Sequence, residues 1–526
     1  MESQRKFPFE STAEAIAAGL EHQRAGRLAE ADKIYRQVLV REPNHPDALH
    51  LLGVIHGQRG QPQTAVDLIS RALKVRPDAA QFHCRLAENL RALGESDESI
   101  ASFRRAIALA EDDPAIHNSF GAALAGMRQF DPAMAEFQRA IELKPDFADA
   151  HSNLGAALVA IGSLDEAVTA LRTALKHNPN SRGAWNNLGN ALYNQGKISE
   201  AISAYDKVAS FNPNDAKIHA NLALAHLLLG NFARGWGEHE WRLKVPEIVG
   251  TRQFAQPQWD GIDLNGKTVL LHPEQGFGDM IQFARFIPRV AGRGGRVVLE
   301  SPPELFRLFK DFPRIAELAA SNQPLPNFDV QCPLLSLCSV FNVTAETIPS
   351  EVPYLKPDRE LVRRWSERFD AGDKRLRAGL VWAGRPQHTN ERNRSMNLAQ
   401  FAPLASLDSV AFYSLQKGIA AAQAADPPAG LRLMDWTEDL TDFAETAAMI
   451  QHLDLIVTVD TAVAHLAGAM GKRTWLMLPW IPDWRWMLER TDSPWYPTMR
   501  LFRQRKTGDW AEVLRQVAGS LQNESR

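Results

Sequence analysis

The first candidate for chemistry is a glycine-containing loop at residues 274–279, Glu-Gln-Gly-Phe-Gly-Asp, between a short apolar segment and an apolar stretch with helical spacing. Glycines between a strand and a helix let the backbone approach a ligand closely, and the helix start is positively polarised. Asp279 would then lie in the first turn of that helix, at the mouth of a cleft between two lobes. The alternative is that Asp279 caps the helix, and the spacing alone favours this alternative.

A second candidate lies at residues 459–465, Val-Asp-Thr-Ala-Val-Ala-His. A strand that ends in Asp460 and Thr461 and leads into a helix exposes free amides. The unpaired N–H groups and the helix dipole both favour an anion such as phosphate. The alternative is that Asp460 or Thr461 is a plain helix cap and that His465 is a hydrogen-bonded helix residue. The small residues of this helix would then serve its packing on a sheet.

Arginines gather in a third segment, residues 384–395, which also follows a strand-like apolar segment. Basic side chains in such a loop suit a diphosphate, which guanidinium groups bind with paired hydrogen bonds. We expect this role for Arg394 and Ser395, whereas Arg385 and Arg392 are also compatible with a solvated loop. Lys417, directly after a further strand, is a similar candidate for a ribose or phosphate contact.

Large aromatic side chains crowd residues 480–496, where four tryptophans and Tyr496 surround Asp483, Arg485 and Arg490. Such a stretch is usually a structural plug of large side chains. The alternative is a lid or a base-stacking surface, from which Arg485 would reach a phosphate.

Composition excludes several classes of protein. The sequence has no G-x-G-x-x-G, which argues against a dinucleotide oxidoreductase. A formal net charge of -3 gives no global field for nucleic acid or anionic membrane. We find no apolar run of about 20 residues and no signal-peptide core, so we expect no transmembrane segment. Three cysteines without zinc spacing predict no metal site and a reducing cytoplasm.

The elements that would position these residues form two α/β lobes. Strand–glycine loop–helix–strand patterns begin near residue 267 and again near residue 375, as expected for open parallel sheets. Ligands of such sheets lie at the carboxyl ends of the strands. We therefore predict a linker at 246–265, a first lobe at 266–365 and a second lobe at 366–526.

The first half of the chain repeats every 34 residues. A small residue and a proline recur on this period, the small residue at Gly19, Gly53, Ala87, Gly121, Gly155, Gly189 and Ala223. This pattern is typical of tetratricopeptide repeats (TPR), in which the small residue lies where the two helices of a unit cross closely. We therefore predict that residues 1–245 form an all-α TPR superhelix of about seven units, with the degenerate seventh unit as its cap.

The concave face of such an array has asparagines at near-repeat spacing, namely Asn153, Asn186, Asn187 and Asn221. Asparagine side chains there can hold the backbone of an extended peptide. The alternative is that each is a solvated polar residue on an exposed face, and the spacing leaves both interpretations open.

The C-terminal motifs together resemble a known family. EQGFGDMIQFARFIP, GLVWAG, RSMNL, SLQKG and VTVDTAVAHLAGAMGK follow in the order found in bacterial TPR proteins whose C-terminal region is similar to family 9 glycosyltransferases, the family of the lipopolysaccharide heptosyltransferases. The resemblance runs from about residue 230 to the end. It implies the two-lobed GT-B fold, with a nucleotide-sugar as donor substrate and no further cofactor.

By this resemblance, Asp279 matches the general base that takes the proton of the acceptor hydroxyl. The resemblance assigns the loop before it to the acceptor side, with Glu274, Gln275, Gly276 and Gly278. It assigns the donor side to Asp460, Thr461, Ala462, Val463 and His465. We add Arg394, Ser395 and Lys417 to the donor side because of their positions after strands. The reaction implied is metal-independent inversion. Repeats fused to glycosyltransferase lobes also occur in enzymes that modify proteins, and this analogy suggests a protein acceptor held by the TPR groove.

Two departures from the family motivate an alternative. The lysine expected after the Gly-x-x-Trp strand is absent, so that Arg385, His388 or Arg394 would replace it, and the first lobe is short. The alternative is a non-catalytic TPR interaction scaffold with a degenerate glycosyltransferase domain.

Overall fold

The computed structural model describes residues 8–250, 252–387 and 390–524. The chain divides into two compact units, Met1–Val208 and Ala209–Arg526. His388, one of the proposed substitutes for the family's lysine, lies outside the described residues.

The repeats are antiparallel helical hairpins, as predicted. The helices are α1 (Thr12–Arg24), α2 (Leu28–Arg41), α3 (Pro46–Gln58), α4 (Pro62–Val75), α5 (Ala80–Leu93), α6 (Ser96–Leu109), α7 (Pro114–Gly126), α8 (Phe130–Leu143), α9 (Ala148–Ile161), α10 (Leu164–His177), α11 (Arg182–Asn194), α12 (Ile198–Phe211), α13 (Ala216–Leu228) and α14 (Phe232–His239). The predicted TPR fold of the N-terminal half is therefore confirmed.

The small residue of each unit lies at the crossing of its two helices. A Cβ added to Gly155 in α9 would lie 2.5 Å from the Cγ of Leu171 in α10, and one added to Gly121 would lie 2.7 Å from the ring of Phe137. Both neighbours are fully buried, so they have no free space to move into. The 34-residue recurrence of small residues is thus a packing requirement.

A second recurrent contact closes the turn between units. A ring N–H near the start of the first helix meets the carbonyl oxygen six residues earlier, at 2.8–2.9 Å in each case; the pairs are His83–Pro77, His117–Glu111, His151–Pro145, Trp185–Pro179 and His219–Pro213. The rings are themselves 34 residues apart, a signal that the sequence contains. The unit without proline, at Glu111, keeps the bond because the acceptor is the backbone.

The first α/β lobe has a four-stranded parallel sheet in the order β3-β2-β1-β4. Its strands are β1 (Thr268–His272), β2 (Arg296–Ser301), β3 (Glu317–Ala320) and β4 (Val330–Pro333), and its helices are α15 (Pro246–Val249), α16 (Phe277–Phe283), α17 (Ile287–Ala291), α18 (Pro303–Phe309) and α19 (Leu337–Val340). The sequence predicted β1 and β2 but neither β3 nor β4, since the latter two are four residues long and half-exposed.

The second lobe has a six-stranded parallel sheet in the order β10-β9-β8-β5-β6-β7. Its strands are β5 (Leu376–Val381), β6 (Val410–Ser414), β7 (Leu433–Asp435), β8 (Leu455–Val459), β9 (Thr474–Leu478) and β10 (Met499–Arg503), and its helices are α20 (Arg359–Ser366), α21 (Glu391–Arg394), α22 (Phe443–Gln451), α23 (Ala462–Ala469) and α24 (Trp510–Glu524). The last helix packs through Val513 and Val517 on the core of this sheet. The predicted α/β character of the C-terminal half is confirmed.

The segment predicted as a linker, 246–265, contacts the first lobe. Trp259 is 3% exposed, and its backbone N–H donates to the carbonyl of Gln331 in β4 at 2.8 Å. Leu264 is buried as well. These contacts extend the edge of the first sheet.

None of the helices in the described part of the chain combines the length and the apolar character that a bilayer crossing needs.

We expect Gly155→Ala to lower the free energy of unfolding of the repeats by about 1–2 kcal/mol, because its Cβ overlaps Leu171. Gly183→Ala is the matched control: Gly183 is also helical but has no atom within 4 Å of an added Cβ, so we expect no loss or a gain of up to about 1 kcal/mol. Denaturant unfolding followed by circular dichroism measures both. Equal losses in the two variants would show that the crossing does not require glycine.

Candidate functional site

The topological switch points of the two sheets define the site. In the first sheet β1 lies between β2 and β4, and in the second sheet β5 lies between β6 and β8. Ligands of open α/β sheets bind at the carboxyl ends of strands beside such a point. The loops that follow β1, β5 and β8 contain most of the residues singled out in the sequence.

Asp279 lies in the first turn of α16 and uses its two carboxylate oxygens differently. Oδ2 accepts a hydrogen bond from the backbone N–H of Gly276 at 2.9 Å, so that Asp279 contributes to capping the helix. Oδ1 forms an ion pair with the guanidinium of Arg485 in the second lobe. The cap interpretation therefore describes one oxygen, and the other lies between the lobes.

Arg485 joins the two lobes through a buried guanidinium, with its side chain 7% exposed. Its Nε donates to Gln282 of α16 at 2.6 Å, and a terminal nitrogen pairs with Asp483 at 2.9 Å. Burial acts to lower the pKa of Arg485, but the neighbouring carboxylates of Asp483 and Asp279 raise it above its usual value. Arg485 therefore remains a cation that fixes the position of Asp279.

Helices α16 and α23 touch where Gly278 faces His465. A Cβ on Gly278 would lie 2.7 Å from the His465 ring and 3.5 Å from the Cα of Ala462. The His465 ring stacks on Trp486 at 5.4 Å between centroids, and its Nδ1 lies 3.0 Å from the Tyr496 hydroxyl. Burial, assisted by Arg485, lowers the pKa of His465 well below its usual value. His465 is thus a neutral, hydrogen-bonded residue that holds the two loops together.

Asp460 follows β8 and is largely buried, with its side chain 13% exposed. Burial raises the pKa of this carboxyl to about 6, and the nearby Asp483 acts in the same direction. Thr461 is the N-cap residue of α23 but makes no side-chain cap bond. As at any helix start, the amides of the first turn, which include those of Ala462 and Val463, have no intrahelical acceptor.

Arg394 and Ser395 surround a carboxylate of the same loop. Glu391 accepts from the backbone N–H of Gly384 at 3.0 Å and pairs with Nε of Arg394 at 2.9 Å, and the Ser395 hydroxyl bonds to it as well. Arg394 also donates to the backbone carbonyl of Asp460 at 3.0 Å. This loop therefore reaches from the end of β5 to the end of β8, across the switch point.

The structure places Lys417 and Glu274 differently from the rest. Lys417 is exposed after β6 and its ammonium donates to the carbonyl of Thr437 at 2.7 Å. Glu274 is buried and pairs with Arg242 at 2.9 Å, whereas Gln275 is exposed. The structure thus brings Asp279, Arg394 and the 460–465 segment to one region, and turns Lys417 and Glu274 to other partners.

Sequence reasoning missed several residues of this region: Arg242, Gln282 and Glu391. Each is a polar side chain whose partner is remote in sequence or depends on how a loop closes. Only Glu391 had a local signal, since an acidic residue three positions before an arginine on a helical turn can pair with it.

Comparisons with known proteins agree with this architecture. The sequence model of the tetratricopeptide repeat matches residues 16–71, 53–114, 157–216 and 187–235, and a related TPR repeat model matches residues 129–162. The model of Glycosyltransferase family 9 (heptosyltransferase) matches residues 440–475. That range contains β8 and the segment from Asp460 to His465.

Among curated proteins, the chain is 25% identical over 321 residues to Protein FlbA of Caulobacter vibrioides (strain ATCC 19089 / CIP 103742 / CB 15), which is 56% of this chain and 53% of FlbA. The chain thus matches about half the length of that relative. The solved structures similar to it include the APC/C hetero-tetramer Cut9-Hcn1 (19% identity, 41% of this chain and 43% of that chain, TM-score 0.38) and MamA (25% identity, 31% and 94%, TM-score 0.27). The chain therefore carries tandem tetratricopeptide repeats followed by an α/β region similar to glycosyltransferase family 9.

Proposed function

We propose that this protein is a glycosyltransferase that moves a sugar from a nucleotide-sugar to an acceptor, and that the acceptor is a protein held by the repeats. One observation carries the proposal: the helix start that bears Asp279 packs against the helix that follows Asp460, so closely that a Cβ on Gly278 would lie 2.7 Å from the His465 ring. A carboxylate can act as a general base for an acceptor hydroxyl, and a helix start can bind the diphosphate of a nucleotide-sugar.

In the proposed reaction, Asp279 accepts the proton of an acceptor hydroxyl while that oxygen attacks the anomeric carbon. The bond from this carbon to the diphosphate oxygen breaks, and its electron pair leaves with the diphosphate. The amides at the start of α23 and the guanidinium of Arg394 stabilise the negative charge that develops there. Although Gly276 and Arg485 already bond to Asp279, a carboxylate has about four lone-pair sites, so it can still accept from a hydroxyl.

The hydrogen-bond donors that could bind a diphosphate are already bonded to a carboxylate of the protein. Glu391 takes the N–H of Gly384, the hydroxyl of Ser395 and the guanidinium of Arg394, which are the kinds of group that bind a phosphate oxygen. We infer that the diphosphate displaces Glu391 from these donors when the donor substrate binds.

The rival function is a scaffold whose α/β lobes no longer catalyse transfer. The ion pair between Asp279 and Arg485 favours it, because a paired carboxylate is a weaker proton acceptor. The two functions differ in turnover and not in fold, so variants of the site separate them.

We expect Asp279→Asn to lower turnover by about 10²–10⁴-fold with unchanged donor binding, since the amide cannot accept the proton. The measurement is release of nucleoside diphosphate, after a thermal-shift screen has identified the donor among nucleotide-sugars. Asp483→Asn is the control, because it also removes a carboxylate from Arg485 but leaves the base in place. Full turnover of Asp279→Asn would remove Asp279 from the mechanism.

We expect Glu391→Gln to tighten the binding of pyrophosphate and nucleoside diphosphates by about tenfold, or about 1.4 kcal/mol, because the competing charge is lost. Isothermal titration measures the dissociation constants. Glu367→Gln is the control, since Glu367 is an exposed acid that pairs with Arg363 on α20. Weaker binding in Glu391→Gln would mean that Glu391 supports the site instead of competing for it.

The raised pKa of Asp460 predicts a pH dependence of stability. The folded value, about 6, lies above the ordinary 3.8, so the folded state holds the proton more tightly than the unfolded state. Stability should therefore fall as pH rises from about 4 to about 6. Asp460→Asn should abolish this component, which thermal unfolding of both proteins across this range measures. Parallel curves would show that Asp460 titrates normally.

A further inference from the structure

We propose that Arg242, in the helical segment that ends the repeats, is a positioning residue for the loop 274–279. The inference rests on the proposed function, because the loop matters only if it carries the base and the acceptor. It assigns a task to a residue that lies outside both α/β lobes in sequence. The hairpin of α13 and α14, with the 3-10 helix Glu240–Lys244, belongs to the same compact unit as the lobes.

Arg242 is a buried cation between two carboxylates. Its side chain is 2% exposed, and it pairs with Glu274 and with Glu240, each at 2.9 Å. It also donates to the Ser336 hydroxyl at 2.8 Å, and His239 lies against it through Nδ1 at 3.2 Å. Burial acts to lower the pKa of Arg242, but Glu274 and Glu240 raise it above its usual value.

The partners of Arg242 lie on either side of the switch point of the first sheet. Glu274 is the first residue of the loop that follows β1 and ends at Asp279, while Ser336 follows β4. One guanidinium therefore ties the ends of two neighbouring strands at the place where the acceptor loop begins. Glu274 is only 3% exposed, so its role is to be held and not to touch substrate.

A second set of contacts runs from the α13–α14 hairpin to Asp279, the proposed base. Trp236 of α14 donates through Nε1 to the Val343 carbonyl at 2.7 Å, and its ring meets that of Trp484 edge-on at 5.2 Å. The guanidinium of Arg485 lies 4.3 Å from the centroid of the Trp484 ring. Because Arg485 pairs with Asp279, the hairpin supports both ends of the loop 274–279.

The ion pairs of Arg242 with Glu274 and Glu240 are a poor means of stabilising the fold. A buried ion pair can cost more in desolvation than it returns, and apolar residues of similar volume often serve as well. Within the described residues, Nε of Arg242 and Oε1 of Glu274 have no hydrogen-bond partner, which adds to the cost. We attribute the buried ion pairs to the need to hold the loop 274–279 in one position. A displacement of about 1 Å at a reacting group can lower the rate about a hundredfold.

The test compares Arg242→Lys and Arg242→Met in the full chain. We expect Arg242→Met to lower kcat about ten- to a hundredfold while KM for the nucleotide-sugar is unchanged. Arg242→Lys should recover part of kcat, since it keeps the charge for Glu274. Hydrogen exchange of the peptide that covers 274–279 should be faster in Arg242→Met. Lys244→Met, in the same 3-10 helix but exposed, is the matched control and should change neither kcat nor exchange.

Three outcomes would overturn the proposal: unchanged kcat in Arg242→Met, a rise in donor KM that parallels the loss of kcat, or exchange of the loop equal to wild type. Failure of the proposed function is a separate result. It would appear as absence of turnover in the wild-type protein with any nucleotide-sugar, while the exchange measurement would still decide whether Arg242 holds the loop.

Discussion

The buried guanidinium of Arg485 is the interaction on which the α/β half depends. It bonds to Asp279 and Gln282 in the first lobe and to Asp483 in the second, and it lies beside the Trp484 ring. A buried cation needs several partners to offset its desolvation, so the two lobes can separate only if these bonds are replaced. Arg485 therefore helps to fix the position of Asp279 relative to the second lobe.

Charge balance around the site follows a common rule. The cations of this region are matched by the chain's own acids, Arg394 by Glu391 and Arg242 by Glu274. The pairing keeps buried charges satisfied without a ligand. Under the function proposed above, a diphosphate would bind by exchange with a carboxylate, and its affinity would be the difference between two charge-assisted interactions.

The last helical hairpin has two structural roles. Its glycine and alanine pattern and the bond from His219 to Pro213 are those of a repeat, whereas Trp236 and Arg242 bind the α/β lobes. The degenerate sequence of this unit is explained by the second role, since side chains that would face a further repeat face another fold instead.

Much of this fold was predictable because it rests on short-range patterns. The 34-residue period determines the helical hairpins, since a small residue must recur wherever two helices cross, as Gly155 and Leu171 illustrate. Apolar runs likewise determined β1, β5 and β8, the first two followed by glycine loops and the third by Asp460 and Thr461, and with them the order of the candidate segments. Strands as short as β3 and β7 gave no signal of their own, because neighbouring strands and not their own residues define them.

Only the tertiary structure decided the partners of charged side chains: Arg485 pairs with Asp279 across 206 positions and Arg242 pairs with Glu274 across 32. Such pairs form when two surfaces that are remote in sequence are buried against each other, so the local spacing of residues does not predict them.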